Sequence, residues 1–206
     1  MISPNQDLES AEADCRNSLI SEVLNGYKER LIKSLESLNK AELENFIGLL
    51  LSTIKRGGTI YFQGNGGSSA TCSHFVNDLT LLSEKSSLPI FCKSLCADSS
   101  VLTCLANDFS FEDVFLRQIK SVLKPHDLLV SLTASGNSEN LVRSVRAANE
   151  RGVRTVSILG FDGGILKGLS TDTLLIQSAV GDYGVVEDLH LSINHITMEY
   201  LRREFL

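Results

Sequence analysis

The sequence predicts a parallel α/β sheet with helices packed on both of its faces. Three observations carry that prediction. From Thr59 onward, short runs rich in Ile, Val, Leu, Phe and Thr alternate with stretches of helical periodicity. These runs are continuously apolar, as suits strands buried on both sides. Two of them end in Gly- and Ser-rich turns, where a strand of such a fold hands over to a helix.

The elements follow in order along the chain. Residues 7 to 56 place Leu19, Ile20, Val23, Leu24, Tyr27, Leu31, Leu35 and Leu38, then Leu43, Phe46, Ile47, Leu50, Leu51 and Ile54, at helical spacing. This predicts two helices broken near Asn39. The apolar stripe of the first exceeds what one small sheet can cover, so part of it is expected to pack on another subunit. Residues 1 to 56 are therefore read as a helical segment with oligomer contacts, within the same domain as the sheet unit of residues 57 to 206. TIYFQG, PIFCKSL, DLLVSLT, RTVSILG and TLLIQSA are the predicted strands. Residues 68 to 83, 99 to 107, 111 to 124, 138 to 151 and 186 to 204 are the predicted helices.

Composition narrows the function. The chain has 206 residues, 43% hydrophobic and 21% charged, which fits one globular domain and excludes a disordered or collagen-like chain. Its net charge of −6, with no stripe of Lys or Arg, excludes nucleic acid as a direct ligand. No apolar run approaches the ~20 residues of a membrane span, and the acidic N-terminus lacks the basic and apolar regions of a secretion signal. A cytoplasmic protein is expected. Cys15, Cys72, Cys92, Cys96 and Cys104 contain no CxxC pair, so they are expected to be reduced and mostly buried thiols.

Chemistry gathers at the two turns. One contains Gly64, Asn65, Gly66, Gly67, Ser68 and Ser69; the other contains Thr133, Ala134, Ser135, Gly136, Asn137 and Ser138. Glycines let a backbone approach an anion, hydroxyls donate to it, and the free N–H groups of a helix start face the same point. A phosphate fits such a place without Lys or Arg. The plain alternative makes Ser68 and Ser138 helix N-caps only; two such turns in one sheet favour the phosphate. Neither turn is a P-loop or a GxGxxG dinucleotide motif.

The blocks GNGGSSATCSHFVNDL, ANDFSFEDVF, TASGNSENLV, LGFDGG and EDLHLSINH resemble, in order, those of the sugar isomerase (SIS) domain family, and within it the sedoheptulose 7-phosphate isomerases. The resemblance covers about residues 55 to 204. It implies a three-layer, flavodoxin-like sheet, a homotetramer built partly by the N-terminal helices, and conversion of sedoheptulose 7-phosphate to D-glycero-D-manno-heptose 7-phosphate. It places substrate binding on Asn65, Gly66, Gly67, Ser68, Asp108, Thr133, Ser135 and Ser138.

Moving a proton between C1 and C2 of such a sugar needs a base near carbon and an acid near oxygen, commonly a carboxylate and an imidazole. His74 and Asp78 lie four apart, on one helix face; Glu187, Leu191 and His195 repeat at four on the last helix. The resemblance gives the acid/base roles to Asp78, where the family has glutamate, and to His195. It also implies a zinc ion on His74, Asp78, Glu187 and His195. On a straight helix residues 187 and 195 are about 12 Å apart, so a shared ion requires a bent or unwound start near Gly181 and Gly184. His190 falls on another face and is read as structural or interfacial; His126, beside Pro125, is read as surface. Asp78, Glu187, Val185 and Ala134 depart from the family pattern. Two other readings stay open: a noncatalytic SIS adaptor that binds proteins, and a sugar-phosphate-sensing domain. His74 and His195 favour the enzyme.

Overall fold

The computed structural model describes the backbone of residues 4–206 and the side chains of residues 17–206. Cys15 therefore lies outside the described side chains. Two helices lead, α1 (Pro4–Glu36) and α2 (Lys40–Lys55). They part where expected, because Asn39 caps α2: its side-chain oxygen accepts from the Ala41 and Glu42 N–H groups at 2.9 and 3.3 Å.

Five parallel strands follow, β1 (Thr59–Gly64), β2 (Phe91–Ser94), β3 (Leu128–Thr133), β4 (Arg154–Leu159) and β5 (Asp172–Leu175), ordered β2-β1-β3-β4-β5. The helices between and after them are α3 (Gly67–Lys85), α4 (Ser99–Asp108), α5 (Val114–Ile119), α6 (Glu139–Glu150), α7 (Gly164–Leu169) and α8 (Tyr183–Phe205). This is the doubly wound arrangement, and its strand order reverses direction between β1 and β3. Residues 111–124 are shorter in helix than expected, with one 3₁₀ turn at Phe111–Asp113 before α5, and α7 is an element that the sequence reading lacked.

Period-two alternation divides each central strand between two cores. Ile60, Phe62, Leu128, Val130 and Leu132 join α2, α3 and α8 on one face. Tyr61 and Leu129 join α5, α6 and α7 on the other. Polar groups inside are paired: Gln63 of β1 donates to Ser131 of β3 at 2.8 Å and accepts from Ser144 of α6 at 2.7 Å. At the amino end of the sheet, Asp127 accepts from the Thr59 and Lys124 N–H groups, both at 2.8 Å, and so ties the start of β1 to the turn before β3.

α1 reaches the domain through polar contacts to α8 and to the residue before it. Tyr27 donates to Asp188 at 2.6 Å, and Arg30 pairs with Asp182 at 2.9 Å. The bond to Asp188 holds the Tyr27 hydroxyl's pKa up at about 12. Leu19, Ile20, Val23, Leu24, Ile32 and Leu35 of this helix remain 43% to 64% exposed, the unpartnered stripe foreseen from its length. The expectation for cysteine is corrected. Cys72 is buried, but Cys92 and Cys96 are half-buried and Cys104 is exposed, because the β2 edge and α4 leave them at the rim; none of the four is in a disulfide.

Phe75 anchors α3 to the sheet, its ring stacked on Phe62 at 5.0 Å and edge-on to Phe46 at 6.2 Å. Phe75→Ala is expected to cost about 3–5 kcal/mol, read as a lower denaturation midpoint at unchanged m-value, because all three rings are fully buried.

Candidate active site

The pairing of β1 with β3 sets Gly64 beside Leu132, so the turn after each strand opens at the same level. The start of α3 has Gly66 at its cap position, with φ 55° and no side-chain cap. Ser138 caps α6 by position, yet its side chain makes no cap hydrogen bond. Both helix starts thus keep N–H groups free for a ligand.

The second turn is held by its own hydroxyls and by backbone contact. The Gly136 N–H donates to Thr133 Oγ1 and the Asn137 N–H donates to Ser135 Oγ, both at 3.3 Å. Each hydroxyl has then accepted a bond and still has its proton to donate. Gly136 has φ 64°, and a Cβ there would collide with the Gly163 carbonyl, so no other residue fits this close approach.

Several expected ligands are already engaged. Asn65 and Asn140 exchange two amide hydrogen bonds at 3.0 Å, which clamps the first turn to the start of α6. The sequence reading placed Asn65 on the substrate and missed Asn140. Ser68 is not a cap; it lies inside α3, nearly buried, with its hydroxyl 3.3 Å from Nδ1 of His190. Asp108 is exposed at the end of α4, and its hydrogen bonds run to Asn107 and Cys104, both local. Beneath the first turn, the Cys96 thiol donates to the Gly64 carbonyl at 3.2 Å.

A second cluster stands farther along α3. His74 Nε2 lies 3.4 Å from Asp78 Oδ2, as the spacing of four requires. His195 of α8 completes the group: its ring centroid is 5.2 Å from that of His74, and donor atoms of all three residues lie within 4.8 Å of one another. Asp78 is only 9% exposed, and Asn194 donates to its Oδ2 at 2.9 Å. Two imidazoles and one carboxylate form a candidate metal-binding triad. With a fourth position open, this donor set is one that zinc accepts at catalytic sites.

Glu187 is not brought into this triad. α8 is already helical from Tyr183, so the unwound start that a shared ion would require is absent, and Glu187 stands two turns from His195. Its carboxylate packs instead on Gly67, where any Cβ would collide with it, at the positive end of α3.

Comparison with known proteins fits this arrangement. The SIS domain profile matches residues 25–160. The chain belongs to the SIS domain family. Among SIS proteins, the phosphoheptose isomerase of Helicobacter pylori is 35% identical over 189 residues, which are 92% of this chain and 97% of that one. That of Akkermansia muciniphila is 34% identical, over 84% and 89%. The solved phosphoheptose isomerase GmhA of Neisseria gonorrhoeae superposes with a TM-score of 0.78 at 25% identity, over 89% of this chain and 96% of that one. No helix among the described residues is long and apolar enough to cross a membrane.

In this SIS domain, His190 is fully buried between α3 and the sheet, and burial pulls its pKa down from 6.5 to about 4. Its neutral form is the one that folds. The unfolded chain takes up a proton below about pH 6.5 that the native chain refuses, so stability falls as pH drops toward 4, by on the order of 3 kcal/mol from this group. His190→Gln is expected to flatten the difference between denaturation free energies measured at pH 7 and pH 4.5.

Proposed function

We propose that this chain is a phosphoheptose isomerase, an enzyme that interconverts sedoheptulose 7-phosphate and D-glycero-D-manno-heptose 7-phosphate. The observation that carries the reading is the content of α3: a helix start with no side-chain cap at one end and, along the same helix, the His74 and Asp78 pair completed by His195. His74 is seven residues beyond Gly67, about 10 Å along the axis, which leaves room for a sugar carbon chain between a phosphate and the reacting carbons.

The phosphate is held by the N–H groups of the two helix starts and by the free hydroxyl protons of Thr133 and Ser135, with Ser138 beside them. Asp78, ionised, takes a proton from C1 of the ketose while His195 gives one to O2, leaving an enediol. His195 then takes the O1 proton as the C1 carbonyl forms, and Asp78 returns its proton to C2. Both groups end as they began. Zinc held by His74, Asp78 and His195 would supply Lewis-acid polarisation of the carbonyl in place of the proton from His195, whose ligating nitrogen would carry none. Phosphorylated sugars do not cross membranes unaided, so the reaction belongs in the cytoplasm.

Asp78→Asn and His195→Ala are each expected to lower turnover of sedoheptulose 7-phosphate by about 10²–10⁴-fold while calorimetry still detects binding. Full turnover in either variant refutes the assignment of that residue. The exposed stripe of α1 supports a homotetramer. Light scattering of the double variant Ile20→Lys, Leu24→Lys is expected to show species smaller than wild type with unchanged circular dichroism, and a monomeric wild type refutes the tetramer.

A further inference from the structure

α8 turns two adjacent residues to different tasks. His195 reaches the cluster from an exposed position, and Asn194, one residue earlier, points into the core with no exposure at all. The Asn194 amide donates to Asp78 Oδ2 at 2.9 Å, and the same oxygen lies 3.4 Å from His74 Nε2. Among the described residues Asp78 Oδ1 has no hydrogen-bond partner. The other end of the Asn194 amide is orphaned: its Oδ1 is buried with no partner.

A buried amide with an unmatched oxygen is a poor core residue on packing grounds alone, since leucine has as many side-chain heavy atoms and brings no unpaired polar atom of its own. What the amide adds is a neutral donor whose position the core fixes. We propose that Asn194 is the positioning residue for Asp78: together with His74 it holds Oδ2 from two sides, stops rotation of the carboxylate, and leaves Oδ1 as the oxygen that meets the substrate. This rests on the reading of Asp78 as the base. Misplacement of a reacting group by about 1 Å can cost 10²-fold in rate, so a clamp on a short side chain with two rotatable bonds has a large lever.

The test compares wild type, Asn194→Leu, Asp78→Asn and the double variant on sedoheptulose 7-phosphate, with thermal midpoints recorded. Asn194→Leu is expected to lower kcat by about 10- to 100-fold, to change KM little, and to melt no lower than wild type. In the Asp78→Asn background the same substitution is expected to cost nothing further. Should Asn194→Leu fail to fold, Asn194→Ala, which removes the donor without adding bulk, is expected to show the same loss in kcat at similar KM. Wild-type kcat in the folded Asn194 variant, or an equal loss in the Asp78→Asn background, overturns the positioning role and leaves Asp78 as base intact. Full turnover by Asp78→Asn overturns both.

Discussion

Direct pairing of β1 with β3 is the constraint on which the site depends. The helices that leave these neighbouring strands go to opposite faces, α3 to the core shared with α2 and α8, α6 to the core shared with α5 and α7. Two chains that diverge from one level leave a crevice between them, and the helix starts bordering it cannot satisfy their own first N–H groups. The register that puts Gly64 beside Leu132 levels both turns, and the buried Gln63, Ser131 and Ser144 bonds lock that register from within. A slip of one residue would expose these polar groups to apolar neighbours and turn every strand side chain to the wrong face.

The packing of α8 on α3 is the second determinant, since neither helix holds the chemistry alone. α3 brings Ser68, His74 and Asp78; α8 brings His190, Asn194 and His195. Two polar contacts join the seam, His190 with Ser68 and Asn194 with Asp78. The apolar residues of the same seam, among them Phe75, Leu79, Leu189 and Ile193, supply the burial that keeps these polar pairs dry.

Local signals were legible in the sequence. The strands, the break at Asn39, the two turns and the His74 and Asp78 spacing each depend on neighbours within a few residues, and they are found where the pattern put them, except that the last strand ends at Leu175, short of the run TLLIQSA. Contacts between distant residues were not. Asn140 and Asn194 have partners 75 and 116 residues away, and an Asn at a helix start or in a helix middle reads locally as a cap or a surface group. Ser68 read as a phosphate ligand, with a helix cap as the alternative, and its contact with His190, 122 residues away, was not visible. α7 was missed because GILKGL, with two glycines in six residues, offers no helical period to detect.

Under the proposed function the two turns take a phosphate through backbone N–H groups and hydroxyls, with no lysine or arginine in either turn and with the Glu187 carboxylate packed at the first. Such attraction dies away within a few ångströms, whereas a lysine or arginine would be felt across a Debye length. On a chain of net charge −6, a phosphate dianion therefore approaches against a mild repulsion and gains nothing until it is in contact. On that reading capture is short-ranged, and a product that loses its fit has no residual field to hold it back.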